Sequence, residues 1–225
     1  MRTSVKNLQL LTVVIAIAGL CGAAQATLIT GTYGPAPASV DLTTANVGWV
    51  RDSGSDSQTS GGTGLSLFSQ LLWSGTSEDQ YNFASTTFTP AGLGANAGSR
   101  YQVTTGTATS QPLGTGYSIT VTNSTSLPQT LSVYTGIYAS DVALTAGDFS
   151  GTASAAGNNF GVWTINIPAN YGPFTVNYTV SANLGPYSNN SVFGASLIAV
   201  PEPSSIVLLG MGGVGLLAAV RRRRK

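Results

Sequence analysis

The side chains that could carry out chemistry in this sequence are mainly carboxylates. Histidine is absent, which excludes the commonest general base, the Ser-His-Asp arrangement and the usual zinc sites. A glycoside hydrolase needs two carboxylates across a cleft, and the adjacent acids Glu78 and Asp79 could supply one of them. The later candidates for the second are Asp141 and Asp148. Because adjacent acids on a strand point to opposite faces and no spacing favours a cleft, we expect that the chain is not an enzyme.

A calcium loop is the nearest approach to a metal site. From Asp52 to Asp56 the sequence reads Asp-Ser-Gly-Ser-Asp, and alternating oxygen-bearing side chains of this kind can surround a hard cation. The segment lacks the middle acid and the distal glutamate of an EF-hand. We therefore expect a flexible acidic loop, with no metal and no cofactor.

Aromatic side chains offer a third chemistry, since exposed Trp and Tyr can stack on the apolar faces of sugar rings. The candidates are Trp49, Trp73, Tyr134 and Tyr138. Packing in a hydrophobic core is the alternative, and it is the more common fate of large aromatic residues in a domain of this size.

The first 26 residues have the order of a secretory signal peptide. Arg2 and Lys6 precede an apolar run from Leu8 to Leu20, and small residues follow at Ala24 and Ala26. The cations stay in the cytoplasm, the apolar run enters the translocon as a helix, and the two alanines fit the cleft of signal peptidase. We predict cleavage after Ala26, with an uncleaved N-terminal anchor as the alternative.

Residues 200–225 consist of three consecutive segments with different physical properties. An extended, proline-bearing motif comes first, because proline forbids a regular helix or ladder. An apolar segment at 205–220 follows as a predicted transmembrane helix, and a basic tail holds the C-terminus in the cytoplasm. The motif consists of Val200, Pro201, Glu202, Pro203 and Ser204, and the tail consists of Arg221, Arg222, Arg223, Arg224 and Lys225.

This arrangement resembles the PEP-CTERM sorting signal of Gram-negative bacteria, whose carriers are exosortase substrates. The resemblance implies that exosortase recognises Pro201, Glu202 and Pro203 and cleaves at or near them. It also implies a precursor anchored in the inner membrane, later placed at the cell surface or in the extracellular matrix, among exopolysaccharide and biofilm. A plain tail anchor is the alternative.

Between the two ends, residues 27–199 read as one exported domain built of strands. Polar and apolar residues alternate with the two-residue period of a half-buried strand. The predicted strands are Tyr81 to Phe88, Tyr101 to Thr107, Tyr117 to Thr122, Leu131 to Tyr138, Trp163 to Ile167, Phe174 to Ser181 and Val192 to Ile198. Strands at this spacing predict an all-β fold, an antiparallel β-sandwich or jelly roll, flanked by the signal helix and the transmembrane helix.

Turn-forming residues separate these strands. We predict breaks at Asn123 to Pro128, Ala156 to Asn159 and Asn183 to Pro186, and a long mobile loop from Asp52 to Gly64. The segment Leu65 to Trp73 fits either a short helix or a strand.

The charge of the exported domain excludes one class of partner. Two arginines stand against seven acids between residues 27 and 199, a net charge of −5, although the whole chain carries +1. An acidic surface repels phosphate backbones, so we expect no nucleic acid as partner. The expected function is a structural or adhesive matrix protein, with a carbohydrate-binding module as the alternative and a carboxylate-based glycoside hydrolase third. The expected partners are signal peptidase, exosortase, the inner membrane and exopolysaccharide.

Overall fold

The computed structural model describes residues 28–52, 58–72, 77–82, 86–90, 97–102, 110–122 and 125–200. These residues form thirteen strands and one short 3-10 helix, Leu42–Thr44. The strands are β1 Thr30–Pro35, β2 Ser39–Asp41, β3 Gly48–Asp52, β4 Gln58–Gly62, β5 Ser69–Leu71, β6 Ser77–Asn82, β7 Thr87–Thr89, β8 Ala97–Gln102, β9 Gly116–Val121, β10 Gln129–Ala146, β11 Phe149–Ile167, β12 Phe174–Asn183 and β13 Asn189–Ala199.

Eleven of the described strands form one antiparallel sheet, organised around the long hairpin β10–β11. The first half of β10 pairs with β13, and its second half pairs with β12. The order β4-β3-β13-β10-β12-β9-β5 forms its main path, while β1 lines the edge of β11 and β6 joins through β8. Strands β2 and β7 form a separate parallel pair. The all-β, antiparallel part of the predicted fold is therefore confirmed.

The sheet curls because the long hairpin bends near its middle. The register between β10 and β11 shifts between Tyr138 and Ser140, where Ala139 has a φ of 44°. A Cβ built on Gly151, in the first half of β11, would lie 2.8 Å from the Trp163 ring in the second half. The two halves of the hairpin therefore face each other and enclose the main core, as expected where a strand passes from one layer to another.

Two apolar clusters fill the described part of the molecule. The main core lies inside the curl and includes Leu131, Val133, Ile165, Val176 and Tyr178. A smaller cluster lies on the other face of the sheet and includes Val40, Leu42, Phe88, Tyr134 and Phe193. In this second cluster the rings of Phe88 and Phe193 are stacked with centroids 5.9 Å apart. Strands β2 and β7 thus cover the outside of the sheet through Val40 and Phe88.

Four predicted strands lie within observed ones, namely those in β10, β11, β12 and β13, and the predicted strand Tyr117 to Thr122 matches β9 except for Thr122. The predicted strand Tyr81 to Phe88 is wrong as one element, because β6 ends at Asn82 and β7 begins at Thr87. Of Tyr101 to Thr107, residues 103–107 lie outside the described residues. In the described part of Leu65 to Trp73 the strand alternative is correct: β5 is present and Leu65 bridges Val121.

The predicted loop from Asp52 to Gly64 is wrong, because β4 lies within it and pairs with β3. Strand β4 has no apolar side chain, so backbone hydrogen bonds to β3 hold it in the sheet. The Trp49 ring lies over Gly61, where a Cβ would come within 2.4 Å of the Trp49 Nε1 atom. Residues 53–57 lie outside the described residues. The predicted break at Ala156 to Asn159 is also wrong, because β11 continues through it, although the register shift with β10 falls there.

In the part of the chain that the structure describes, no helix has the length and apolar character that a membrane crossing requires. The predicted signal helix, the predicted transmembrane helix at 205–220 and the basic tail lie outside the described residues.

Candidate functional site at the terminal end of the domain

Strand β13 leads directly into the predicted sorting motif. This strand is held between β10 and β3. Beyond its pairing, the backbone N–H of Ala199 donates to Oδ1 of Asn46 at 2.9 Å, and the N–H of Val200 donates to the carbonyl oxygen of Pro128 at 2.8 Å. The first motif residue, Val200, is therefore fixed to the folded domain, and Pro201 follows it immediately.

The start of the domain lies at the same end as this exit point. Register partners on four neighbouring strands form one row: Thr30 in β1, Asn166 in β11, Thr130 in β10 and Ile198 in β13. Neighbouring strands lie about 4.8 Å apart, so three spacings separate Thr30 from Ile198 by about 14 Å. Both ends of the exported domain thus emerge from one region, here called the terminal end. It is formed by Leu28, Leu127, Pro128, Pro168 and Val200.

A carboxylate clamp fixes the first residues of the domain. Asp148 Oδ1 accepts a hydrogen bond from the backbone N–H of Ile29 at 3.0 Å and another from the Tyr171 hydroxyl at 3.0 Å. The same hydroxyl accepts the Asp148 N–H at 3.2 Å. The N–H of Ile29 and the hydroxyl together hold the pKa of the Asp148 carboxyl below its ordinary value. Three segments distant in sequence are therefore joined beside the predicted signal cleavage site.

The terminal end exposes apolar side chains. Leu28 is 63% exposed, Val200 is 41% exposed and Leu127 is 39% exposed. A cavity of about 210 Å³ opens beside them, lined by Leu28, Pro128, Ile167 and Pro168 among others, and no charged side chain lines it. A contiguous exposed apolar surface of this kind marks a place where a protein meets a partner or a membrane.

The candidate carboxylates Asp141 and Asp148 do not meet in one cleft. Asp148 belongs to the clamp, whereas Asp141 lines an open groove of about 370 Å³ on the outer face of β10, β11 and β12. The other residues of that groove are Thr152, Ala153, Ser154 and Ser181. Glu78 and Asp79 lie in β6, paired with Tyr101 and Arg100 of β8.

The aromatic candidates for sugar stacking are mostly packed. The hypothesis that Tyr134 is exposed for sugar stacking is wrong, because its side chain is buried in the second cluster. Its ring packs edge-on against that of Phe88, with centroids 5.5 Å apart. Trp49 is half-buried against the same cluster. Tyr138 is partly exposed, and Trp73 lies outside the described residues.

The calcium candidate begins with a buried residue. Asp52 is buried at the end of β3 beside Arg51, which is buried as well. Burial lowers the pKa of Arg51 to about 10, although the neighbouring Asp52 charge opposes the shift. Residues 53–57 lie outside the described residues, and within the described ranges no three His, Cys, Asp or Glu side chains gather as metal ligands.

Sequence reasoning missed the clamp and the apolar terminal end. A local signal for the clamp existed, because Gly147-Asp148 between two alternating segments is a two-residue hairpin turn, and Gly147 has a φ of 57°. The exposure of Leu28 and Leu127 had no local signal, since it depends on how the strands pair.

Comparison with known proteins supports the C-terminal resemblance. Residues 199–225 match the PEP-CTERM protein-sorting motif. No curated protein and no solved structure matches the chain. The chain therefore carries a sorting motif of a recognised class and is a PEP-CTERM sorting-domain protein. The motif implies an exported protein that is recognised and processed by a membrane-associated exosortase.

Proposed function

We propose that the protein is a structural or adhesive component of the cell surface or extracellular matrix of a Gram-negative bacterium, associated with exopolysaccharide. The observation that supports this most directly is the sorting motif at 199–225, which continues without interruption from the central strand β13. In this proposal signal peptidase cleaves after Ala26, the helix at 205–220 holds the precursor in the inner membrane, and exosortase then removes it. The two-layered curl of the sheet supports a sandwich or jelly-roll assignment for the exported domain.

The processing step is tested by the mass of the released protein. Replacing Pro201 and Glu202 by alanine should leave the full C-terminal segment on the protein and keep it in the membrane fraction. Replacing exposed Leu184 by alanine is the control, because this residue lies in the loop between β12 and β13, away from the motif. Release of a shortened protein from the double variant at the normal rate would contradict the sorting role.

A structural role also has a test in the cell. Deleting the protein should weaken matrix cohesion or flocculation, and restoring the full chain should recover it. Unchanged cohesion after deletion would argue against a structural component.

Carbohydrate binding is the second candidate, and the groove around Asp141 favours it. A carboxylate and the hydroxyls of Thr152, Ser154 and Ser181 share one open surface, and such groups form hydrogen bonds with sugar hydroxyls. Migration in gels containing the exopolysaccharide should be retarded, and Asp141→Asn combined with Ser154→Ala should remove most of that retardation. Ser150→Ala, on the same strand outside the groove, is the matched control. Equal retardation of both variants would exclude this groove.

We further propose that the domain is not an enzyme, because the sequence lacks histidine and the Asp141 groove and the Asp148 clamp are separate environments. Incubation with the exopolysaccharide should release no reducing sugar. Release that disappears in Asp141→Asn would replace this proposal with the glycoside hydrolase alternative.

A further inference from the structure

The terminal end combines three properties that are independent of one another. Both chain ends leave the domain there, Leu28, Leu127 and Val200 expose apolar surface, and the cavity beside them is lined without a charged group. Exposed apolar side chains grouped beside an uncharged cavity are typical of a surface that a partner covers.

The length of the following chain identifies that partner. The predicted membrane-spanning segment begins at Ser205, five residues after Val200. Five extended residues reach at most about 17 Å. Val200 is itself anchored, through Pro128, to the loop that carries Leu127. In the tethered precursor the bilayer surface must therefore lie within this distance of Val200.

We propose that the terminal end is a membrane seat: in the precursor it rests on the outer surface of the inner membrane, with Leu28, Leu127 and Val200 in the interfacial layer of the phospholipids. Apolar side chains gain free energy by entering this layer, whereas charged groups stay in water. Among the described residues, the carboxylate of Asp148 lies next to this end, and it already has hydrogen-bond donors in Ile29 and Tyr171. Seating would hold Pro201 to Pro203 at the bilayer surface, where a membrane-embedded processing enzyme acts.

This inference rests on the proposed membrane tether, so its test separates the two. The precursor without its signal peptide, residues 27–225, contains no cysteine and is prepared with a single new one, Leu127→Cys, carrying an environment-sensitive fluorophore. It is reconstituted into vesicles of phosphatidylethanolamine and phosphatidylglycerol that contain a lipid with a nitroxide headgroup. The matched control is Leu184→Cys, since Leu184 is 49% exposed and its backbone N–H donates to Ala139, at the bend of the hairpin.

The expected result is that the protein floats with the vesicles and that the label at position 127 is quenched several-fold more than the label at position 184. Adding Leu28→Asp to the Leu127→Cys chain should bring its quenching close to that of the control. Because Leu28 is exposed, the urea midpoint of this variant should stay near that of its parent, which excludes misfolding as the cause.

Two other outcomes would overturn the inference in distinguishable ways. Flotation with equal quenching at positions 127 and 184 would leave the tether intact and refute the membrane seat. Failure of the precursor 27–225 to float with the vesicles would refute the tether and the seat together.

Discussion

Replacing Arg51 by methionine should destabilise the domain strongly, although it removes a buried charge. Arg51 is fully buried, and its Nη1 donates to the carbonyl oxygen of Phe193 at 2.6 Å and to that of Asp52. Its guanidinium carbon lies 4.6 Å from the centre of the Phe88 ring. Methionine keeps much of the apolar stem and removes the donors and the charge, so packing changes less than it would with alanine.

The expected change in the free energy of unfolding for Arg51→Met is the balance of opposing effects. Hydrogen bonds from a charged donor contribute about 1.5–3 kcal/mol each, and a desolvated cation over an aromatic ring adds about 2 kcal/mol. Burial of the charge opposes this gain, as the lowered pKa of Arg51 indicates. The neighbouring Asp52 charge favours the charged form of Arg51, so removing the guanidinium also removes this attraction. We therefore expect the free energy of unfolding to fall by about 3 kcal/mol.

Urea unfolding followed by tryptophan fluorescence, in mild detergent, measures this change. Leu113→Met is the control, because Leu113 is exposed and such substitutions stay within about 0.5 kcal/mol. A cycle with Phe88→Leu should give a coupling of about 1 kcal/mol with Arg51→Met. A loss below about 1 kcal/mol for Arg51→Met would refute the reasoning, since desolvation would then balance the contacts.

Two further predictions concern the sheet and the clamp. A Cβ on Gly116 would lie 1.9 Å from the carbonyl oxygen of Tyr178, so Gly116→Ala should separate β9 from β12 and lower the urea-derived free energy of unfolding by about 3 kcal/mol or more. Gly157→Ala, with no atom within 4 Å of the new Cβ, should change it by less than about 0.5 kcal/mol, and equal effects would contradict the described register. Because the pKa of Asp148 is lower in the folded protein, its charge stabilises the fold above the ordinary carboxyl pKa, and this contribution is lost as pH falls through the folded value. Asp148→Asn should therefore melt below the parent at pH 7, with the difference in melting temperature shrinking below about pH 4; a difference independent of pH would show that the charge does not matter.

Prediction of strands from the sequence succeeded best where polar and apolar residues alternated regularly and the strand was paired with a neighbour on each side. Phe174 to Ser181 alternates strictly and lies within β12. It failed at Gln58 to Gly62, which has no apolar residue, because β3 supplies the hydrogen bonds and Trp49 supplies the packing. It also failed at Ala156 to Asn159, where turn-forming residues lie inside β11 because the pairing with β10 carries the strand through the bend.

The features of the candidate site likewise fall into those that neighbouring residues predict and those that depend on residues distant in sequence. The sorting motif is contiguous in sequence, so the sequence alone predicted it, and the match at 199–225 confirms it. The roles of Asp148 and Arg51 could not be inferred in this way, because their partners lie up to 142 residues away. Pairing at that distance depends on the packing of the whole sheet.

The chain's own order of charges, prolines and apolar runs determined its export route and its β character, since translocation and strand alternation depend on neighbouring residues. Only the tertiary structure decided that β13 enters the middle of the sheet, that its end meets β1 about 14 Å away, and that Leu28 and Leu127 share an exposed surface. Those outcomes depend on the register of strands distant in sequence, which is fixed when one curled sheet closes over a common core.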